Sequence, residues 1–95
     1  MRVISHKAIV QYSKRHPDAA ASLDIWYRVT RRADWGAFAG VQAVFPNTDR
    51  VGGKWVFNIA HNRYRLIAEI NFRYRCVFMR DILTHAEYDR GGWQS

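Results

Sequence analysis

A histidine and a tyrosine lie three positions apart near the end of the chain, in the stretch THAEY, residues 84–88. Thr84 and Glu87 have the spacing of a capping box, in which two side chains bind the free backbone N–H groups at a helix start. His85 and Tyr88 have no part in that motif. Because residues three apart lie on the same side of a helix, we expect the imidazole and the phenol to share one face.

Histidine moves protons readily near neutral pH, which suggests acid–base chemistry at this helix. One reaction that needs such groups is RNA cleavage without a metal ion, in which the ribose 2′-OH attacks the adjacent phosphorus and the 5′-oxygen leaves. His85 and Tyr88 would transfer the protons, or Tyr88 would stack on a base. The alternative is that His85 is an ordinary surface residue, and the spacing alone does not decide.

The cations that such a reaction needs are concentrated in one third of the chain. The net charge of the 95 residues is +7. The segment from Arg50 to Arg80 holds seven basic residues and one acidic residue, whereas the remainder holds eight and seven. Six of the seven are arginines, whose planar guanidinium matches phosphate oxygens. We therefore expect a nucleic-acid partner first and an acidic protein second; the alternative is a surface that only maintains solubility.

Length and composition predict a single folded domain over residues 1–95, with 48% hydrophobic residues to fill one core. No apolar run has the length of a membrane span, and the N-terminal segment lacks the apolar region of a secretory signal. A single cysteine, Cys76, excludes an internal disulfide. We expect a cytoplasmic protein. The histidines and Cys76 lack the spacing of zinc ligands, so neither a metal nor another cofactor is predicted.

The first half of the chain has helical patterns interrupted by a proline. Ser5 and Asp18 are typical N-caps, and Pro17 is expected to end one helix before the next begins. The link is so short that the two helices should form an antiparallel hairpin. Four elements are predicted: a strand over 1–4, helices over 6–16 and 19–33, and one or two helical turns within 35–45.

The second half alternates apolar and polar residues, as strands do. Residues 46–53 are rich in turn formers and are predicted to be a loop. Three strands are expected over 54–60, 63–72 and 75–83, and the short turns between them require antiparallel pairing. The predicted fold class is α+β: a compact domain with an N-terminal helical hairpin packed on an antiparallel β-sheet of three to four strands.

Alternation along these strands places polar and basic side chains on the sheet face away from the helices. Lys54, Asn58, Arg63 and Arg65 are predicted to share that face, and Arg80 on the next strand is a further candidate. As a group they are expected to bind phosphate. A solvated surface is the alternative, and for any single arginine it is the more common case.

Three stretches carry a resemblance to a known family: AVFPNTDRV at 43–51, VFNIAHNRYRLIAEI at 56–70 and THAEYD at 84–89. In their order and spacing they resemble the HigB-type toxins of bacterial type II toxin–antitoxin modules, within the RelE-like superfamily. The resemblance runs through most of the chain. It implies a RelE-like fold and a metal-independent endoribonuclease, or mRNA interferase, that cuts mRNA, commonly during translation on the ribosome.

The resemblance also implies site residues and partners. The family's basic and proton-transfer positions fall on Arg63, Arg65, Arg80, His85 and Tyr88. The implied partners are mRNA on the ribosome, a HigA-type helix-turn-helix antitoxin, and DNA only through the complex with that antitoxin. Further RNA contacts are expected from the remaining polar and basic residues of the segment: Lys54, Asn58, Arg73 and Arg75.

A second interpretation belongs to a different class. The chain would then be a basic module that binds RNA or blocks a protein without cleaving, as gyrase-directed toxins on the same fold do, because a fold alone does not settle function. The surface that an antitoxin covers also has two candidates. The arginine-bearing face would attract an acidic segment, and the helical hairpin is the other option.

Overall fold

The computed structural model describes residues 1–93. It shows a five-stranded mixed sheet with a helical hairpin on one face. The strand order is β1-β5-β4-β3-β2. Along the chain the elements are β1 (Arg2–Ile4), α1 (His6–Arg15), α2 (Pro17–Arg32), α3 (Phe38–Val44), β2 (Asp49–Val51), β3 (Lys54–Ile59), β4 (Tyr64–Asn71), β5 (Cys76–Thr84) and α4 (His85–Arg90).

The start of the helical hairpin follows the prediction at one cap and departs from it at the other. The Ser5 side chain accepts a hydrogen bond from the N–H of Ala8 and caps α1. The second helix begins at Pro17 rather than at Ala19, because a proline's fixed φ suits the first helical position, where no N–H is needed. The prediction that Asp18 caps this helix is wrong. Its carboxylate accepts a hydrogen bond from the Tyr64 hydroxyl instead, at 2.7 Å.

The core lies between the hairpin and one face of the sheet, called here the inner face. Helical spacing places buried residues on α1 and α2, and strand alternation places their partners on the sheet. The helices contribute to this core Ile9, Tyr12, Leu23, Trp26 and Thr30, and the strands contribute Trp55, Phe57, Ile59, Tyr64, Leu66, Ala68, Ile70, Val77 and Ile82.

Within residues 1–93, no helix is long and apolar enough to span a bilayer.

The sheet differs from the predicted antiparallel sheet of three to four strands in two ways. β1 pairs with β5 in parallel, so the sheet is mixed. β2 lies inside the predicted loop 46–53 and pairs antiparallel with β3 across a turn in which Gly52 has a φ of 62°. β1 was predicted as a strand, but both strands are only three residues long, too short for alternation to indicate how they pair.

The opposite, outer face of the sheet is partly covered rather than bare. α4 folds back from the end of β5 and contacts both β5 and β4. Val56 and Ile67 pair across β3 and β4 and are only 2% and 1% exposed, although they lie outside the main core. The arginine-bearing face therefore has an apolar centre and a helix at its margin.

Candidate active site

The helix that carries His85 and Tyr88 is held at its start by the predicted capping box. The N–H of Glu87 donates to Thr84 Oγ1 at 3.2 Å, and the N–H of Thr84 donates to Glu87 Oε1 at 2.8 Å. That second bond favours the ionised carboxylate and lowers the pKa of Glu87. The N–H of His85 also donates to the Arg63 carbonyl at 2.8 Å. These bonds set α4 against the start of β4.

Arg65 and Tyr88 are brought together on the outer face. The guanidinium carbon of Arg65 lies 5.3 Å from the centre of the Tyr88 ring. Arg65 Nη1 donates to the carbonyls of Asn62 and Tyr64, at 2.6 and 3.2 Å, which orients its planar fork. Tyr88 is half-buried. A cation beside a phenol is an arrangement that can hold an RNA phosphate next to a proton donor.

The Tyr88 ring also stacks on Trp93, which sequence reasoning did not identify. The two rings stack with centres 4.9 Å apart, and Trp93 Nε1 donates to the Tyr88 carbonyl at 3.1 Å. Lys54 Nζ donates to the Trp93 carbonyl at 3.1 Å. The predicted RNA-binding residue Lys54 is thereby joined to the cluster, but through a residue whose position no sequence spacing indicates.

His85 is oriented by a carboxylate that sequence reasoning also missed. Its Nδ1 lies 2.8 Å from Asp89 Oδ2, one helical turn further on, and about half of the side chain is exposed. When Nδ1 carries the proton for this bond, Nε2 of a neutral ring is left as the acceptor. That is the form a general base requires. The i,i+4 spacing of His85 and Asp89 was the available signal.

The backbone carbonyl of Arg63 accepts a hydrogen bond from the N–H of His85, while the Arg63 side chain points to the helical hairpin. Its Nη1 lies 3.5 Å from Asp18 Oδ2, and 68% of the side chain is exposed. The same carboxylate accepts from the Tyr64 hydroxyl, which lowers the pKa of Asp18 and raises that of Tyr64. In this arrangement Arg63 is an exposed cation beside α4 rather than a member of the Arg65–Tyr88 cluster.

Arg80 is turned away from that cluster by an irregularity in β5. Ile67 pairs with Asp81 and Ala68 with Met79, so Arg80 is the extra residue of a bulge. Its Nη2 lies 3.3 Å from Glu69 Oε2. The guanidinium also lies over the Phe78 ring, at 5.3 Å. Neither contact joins it to Arg65 or Tyr88.

The other predicted RNA-binding residues fall into two places. Asn58 is exposed and pairs directly with Arg65 across β3 and β4, beside the cluster. Arg73 and Arg75 lie in the turn between β4 and β5, at the opposite end of the sheet. Arg75 Nε donates to Asp34 at 2.7 Å, and its Nη1 donates to the Phe72 carbonyl. Arg73 and Arg75 therefore lie apart from the Arg65–Tyr88 cluster, and their role as RNA contacts stays a prediction.

No cluster of three or more histidine, cysteine or acidic side chains suited to a metal ion occurs within residues 1–93. The described residues group the guanidinium of Arg65, the phenol of Tyr88 and the ammonium of Lys54 on the outer face. The imidazole of His85 lies on α4, the same short helix as Tyr88. Together with the mixed sheet and its hairpin, this defines a small basic α+β protein whose outer face groups the candidate site residues.

Comparison with known proteins identifies the family. Residues 19–91 match the model of the HigB_toxin family, described as the RelE-like toxic component of a toxin–antitoxin system. The mRNA interferase HigB of Escherichia coli O6:H1 is 33% identical over 93 residues, covering 95% of this chain and 90% of that protein. The mRNA interferase toxin HigB of Escherichia coli K12 is 26% identical over 92 residues, with 94% and 88% covered. The chain belongs to the HigB_toxin family, and the resemblance seen in its sequence is confirmed. As the toxic component of such a module, it has an antitoxin as its partner.

Proposed function

We propose that the protein is an endoribonuclease that inhibits translation by cutting mRNA. The observation that carries this proposal is the packing of Arg65 against Tyr88 on the helix that also presents His85, with Asp89 orienting the imidazole. Relatives that cover nine-tenths of this chain bear the name mRNA interferase. A non-catalytic module would use the same cations but would need no proton carrier on this helix.

The proposed reaction is a transesterification within the RNA strand. Nε2 of His85 takes the proton of the 2′-OH, the 2′-oxygen bonds to phosphorus, and the bond to the 5′-oxygen breaks. The products are a 2′,3′-cyclic phosphate and a 5′-hydroxyl. Tyr88 donates the proton that the leaving oxygen requires, and Arg65 stabilises the charge on the phosphate oxygens.

Two further arginines are proposed to contact the substrate after giving up weak partners. The Arg63–Asp18 and Arg80–Glu69 pairs are both exposed and long, at 3.5 and 3.3 Å. Exposed pairs of this kind contribute little stability, so a phosphate can replace the carboxylate at small cost. Lys54 and Asn58 would hold the flanking nucleotides.

We propose that the reaction needs no metal ion, since side chains supply both proton transfer and charge stabilisation. From the family resemblance we further propose that the mRNA is cut on the ribosome, in the cytoplasm. The antitoxin would be a HigA-type helix-turn-helix protein, and DNA would be contacted only through the complex with it.

The test is a cleavage assay with purified protein and defined mRNA, with and without translating ribosomes and with and without EDTA. His85→Ala and Tyr88→Phe are each expected to lower the cleavage rate by about 10²- to 10⁴-fold. The matched controls are His6→Ala on α1 and Tyr74→Phe in the β4–β5 turn, which should cleave as the parent does.

Parental rates from both His85→Ala and Tyr88→Phe would show that this site is not catalytic. Intact transcripts with the parental protein, with and without ribosomes, would favour the binding-module interpretation. Loss of cleavage in EDTA while the ribosomes remain intact would contradict a metal-independent reaction.

A further inference from the structure

A small cavity at the edge of the sheet is built from two stretches, and its lining residues take no part in the proposed proton transfer or charge stabilisation. One is the AVFPNTDRV stretch, which supplies Phe45 to Thr48. The other is the start of VFNIAHNRYRL, which supplies Phe57 and Asn58. With Val44 they enclose about 130 Å³. β2 pairs only with residues 54–56 of β3, so this part of β3 has a free edge where the cavity can open.

The cavity adjoins the proposed phosphate site. Asn58 lies directly opposite Arg65 in the β3–β4 register. Directly opposite residues of antiparallel strands have Cα atoms about 4.5–5.5 Å apart. Asn58 is exposed on the outer face. A nucleotide next to a phosphate held by Arg65 can therefore reach the cavity.

The walls combine aromatic rings with polar groups whose hydrogen bonding is incomplete. The rings of Phe45 and Phe57 lie edge to face with centres 5.5 Å apart. Asn58 Nδ2 donates to the Asn47 carbonyl at 3.4 Å, a long and exposed bond. Thr48 is only 4% exposed, and its buried hydroxyl has no hydrogen-bond partner. Buried polar atoms are normally paired, so this site has unused capacity for a polar ligand.

The cavity volume limits the ligand to a small ring. A protein cavity of about 150 Å³ accepts benzene, so about 130 Å³ suits one six-membered ring rather than a fused pair. Single-stranded RNA is recognised by splaying out bases, stacking them on aromatic side chains and hydrogen-bonding their edges. The lining and the size together fit a pyrimidine.

We propose that this cavity binds one pyrimidine base, uracil or cytosine, of the RNA strand beside the cut. The Asn58 amide reads the hydrogen-bonding edge of the base, and the Thr48 hydroxyl turns toward the ring by a change of rotamer to make a second bond. This inference rests on the proposed function, because it names the base preference of the same site.

The test is sequencing of mRNA 5′ ends after brief induction in cells, where ribosomes are present. Cuts by the parental protein are expected to show a pyrimidine preference at one fixed position next to the cut. Thr48→Val keeps the side-chain volume and removes the hydroxyl, and it should lower the pyrimidine-to-purine ratio at that position by roughly five- to tenfold. Thr30→Val is the matched control, since Thr30 also has a buried, unpaired hydroxyl but lies on α2 away from the cavity. Its cut profile should equal that of the parent.

A second variant keeps the proposal testable if Thr48→Val does not fold. Asn58→Asp leaves only acceptors on the side chain at position 58, so the ratio of cytosine to uracil should rise about tenfold, because cytosine presents an amino donor to it. An unchanged profile in the folded variants overturns the proposal. If those variants instead escape the antitoxin while cutting as the parent does, the cavity holds an antitoxin side chain and not a base.

The two proposals fail in different ways. If the parental protein produces no new 5′ ends, the ribonuclease function itself is refuted. If it produces new 5′ ends without a pyrimidine preference at any position beside the cut, only the base-binding cavity is refuted.

Discussion

The two ends of the β4–β5 hairpin carry arginines from the same basic segment and use them differently. At one end, Arg65 lies over Tyr88, and the carbonyl of nearby Arg63 accepts a hydrogen bond from the N–H of His85. At the other end, Arg75 is bonded to Asp34 and to the Phe72 carbonyl. Arg73 lies over Tyr74. The eight residues of β4, with seven intervals of about 3.3 Å, place the two ends about 23 Å apart.

The difference shows that a charge cluster in the sequence is not a charge cluster in space. Arg75 has a φ of 57° and its side chain closes the turn, so it serves the fold. Arg65 is anchored by carbonyls of its own turn, which leaves the guanidinium oriented next to a phenol. An arginine becomes a candidate for catalysis when groups that move protons lie beside it.

The largest expected effect comes from making the same substitution at both ends. Arg65→Gln should lower the single-turnover cleavage rate by about 10²- to 10³-fold, the usual loss when one charge-stabilising donor is removed. Arg75→Gln should leave the rate near that of the parent. Equal losses at the two ends would break the distinction drawn between them.

A smaller effect on the cleavage rate is expected when the carboxylate at each end of the hairpin is substituted. Asp89→Asn should slow cleavage by about tenfold, because Asp89 only positions the His85 imidazole. Asp34→Asn, which removes the negative charge beside Arg75, is the control and should cleave normally. The urea midpoint of Asp89→Asn should match that of the parent. A rate loss that tracks a lower midpoint would mean that Asp89 matters only for stability.

The hydrogen bonds that shape each end should affect stability to a similar extent but activity differently. Thr84→Val removes the cap of α4 and should lower the free energy of unfolding by about 1 kcal/mol, measured by urea titration, with slower cleavage. Asn71→Ala removes the side-chain acceptor of the Tyr74 N–H. It should lower stability without slowing cleavage. Unimpaired cleavage by Thr84→Val would show that the position of α4 is not required.

The smallest effect is a pH dependence confined to the α4 end. The pKa of Glu87 is lowered from its ordinary value of 4.5, chiefly by the hydrogen bond from the Thr84 N–H. The ionised carboxylate therefore stabilises the fold above the ordinary pKa, and this contribution is lost as the pH falls through the lower folded value. Glu87→Gln should weaken the loss of stability on acidification below about pH 4.5. An unchanged slope in urea titrations across that range would contradict this account of the cap.

Local signals in the sequence were sufficient where a structure depends on neighbouring residues. The capping box at Thr84, the Ser5 cap and the break at Pro17 were all predicted, because each involves side chains within one turn of the backbone they bind. The alternation of β3, β4 and β5 was also readable over six to nine residues. β1 and β2, at three residues each, had no pattern long enough to identify their partners.

The candidate site was predictable in its residue types but not in its geometry. His85 and Tyr88 could be placed on one helix from their spacing. That Asp18 would bind Tyr64 and Arg63, some 45 positions later, could not be deduced from the local helix-start signal. The bulge that turns Arg80 toward Glu69 is a one-residue shift in strand register, which alternation alone does not reveal.

The sequence by itself determined which elements form, which face of each is apolar and which residue types are available for chemistry, since these follow from backbone preferences and side-chain periodicity over short distances. The tertiary structure alone decided which cations lie beside the phenol of Tyr88. Arg65 and Lys54 join Tyr88 directly or through Trp93, whereas Arg73 and Arg75 lie at the far end of the sheet. The reason is that strand register and the packing of α4 depend on contacts between distant segments, which no local pattern encodes.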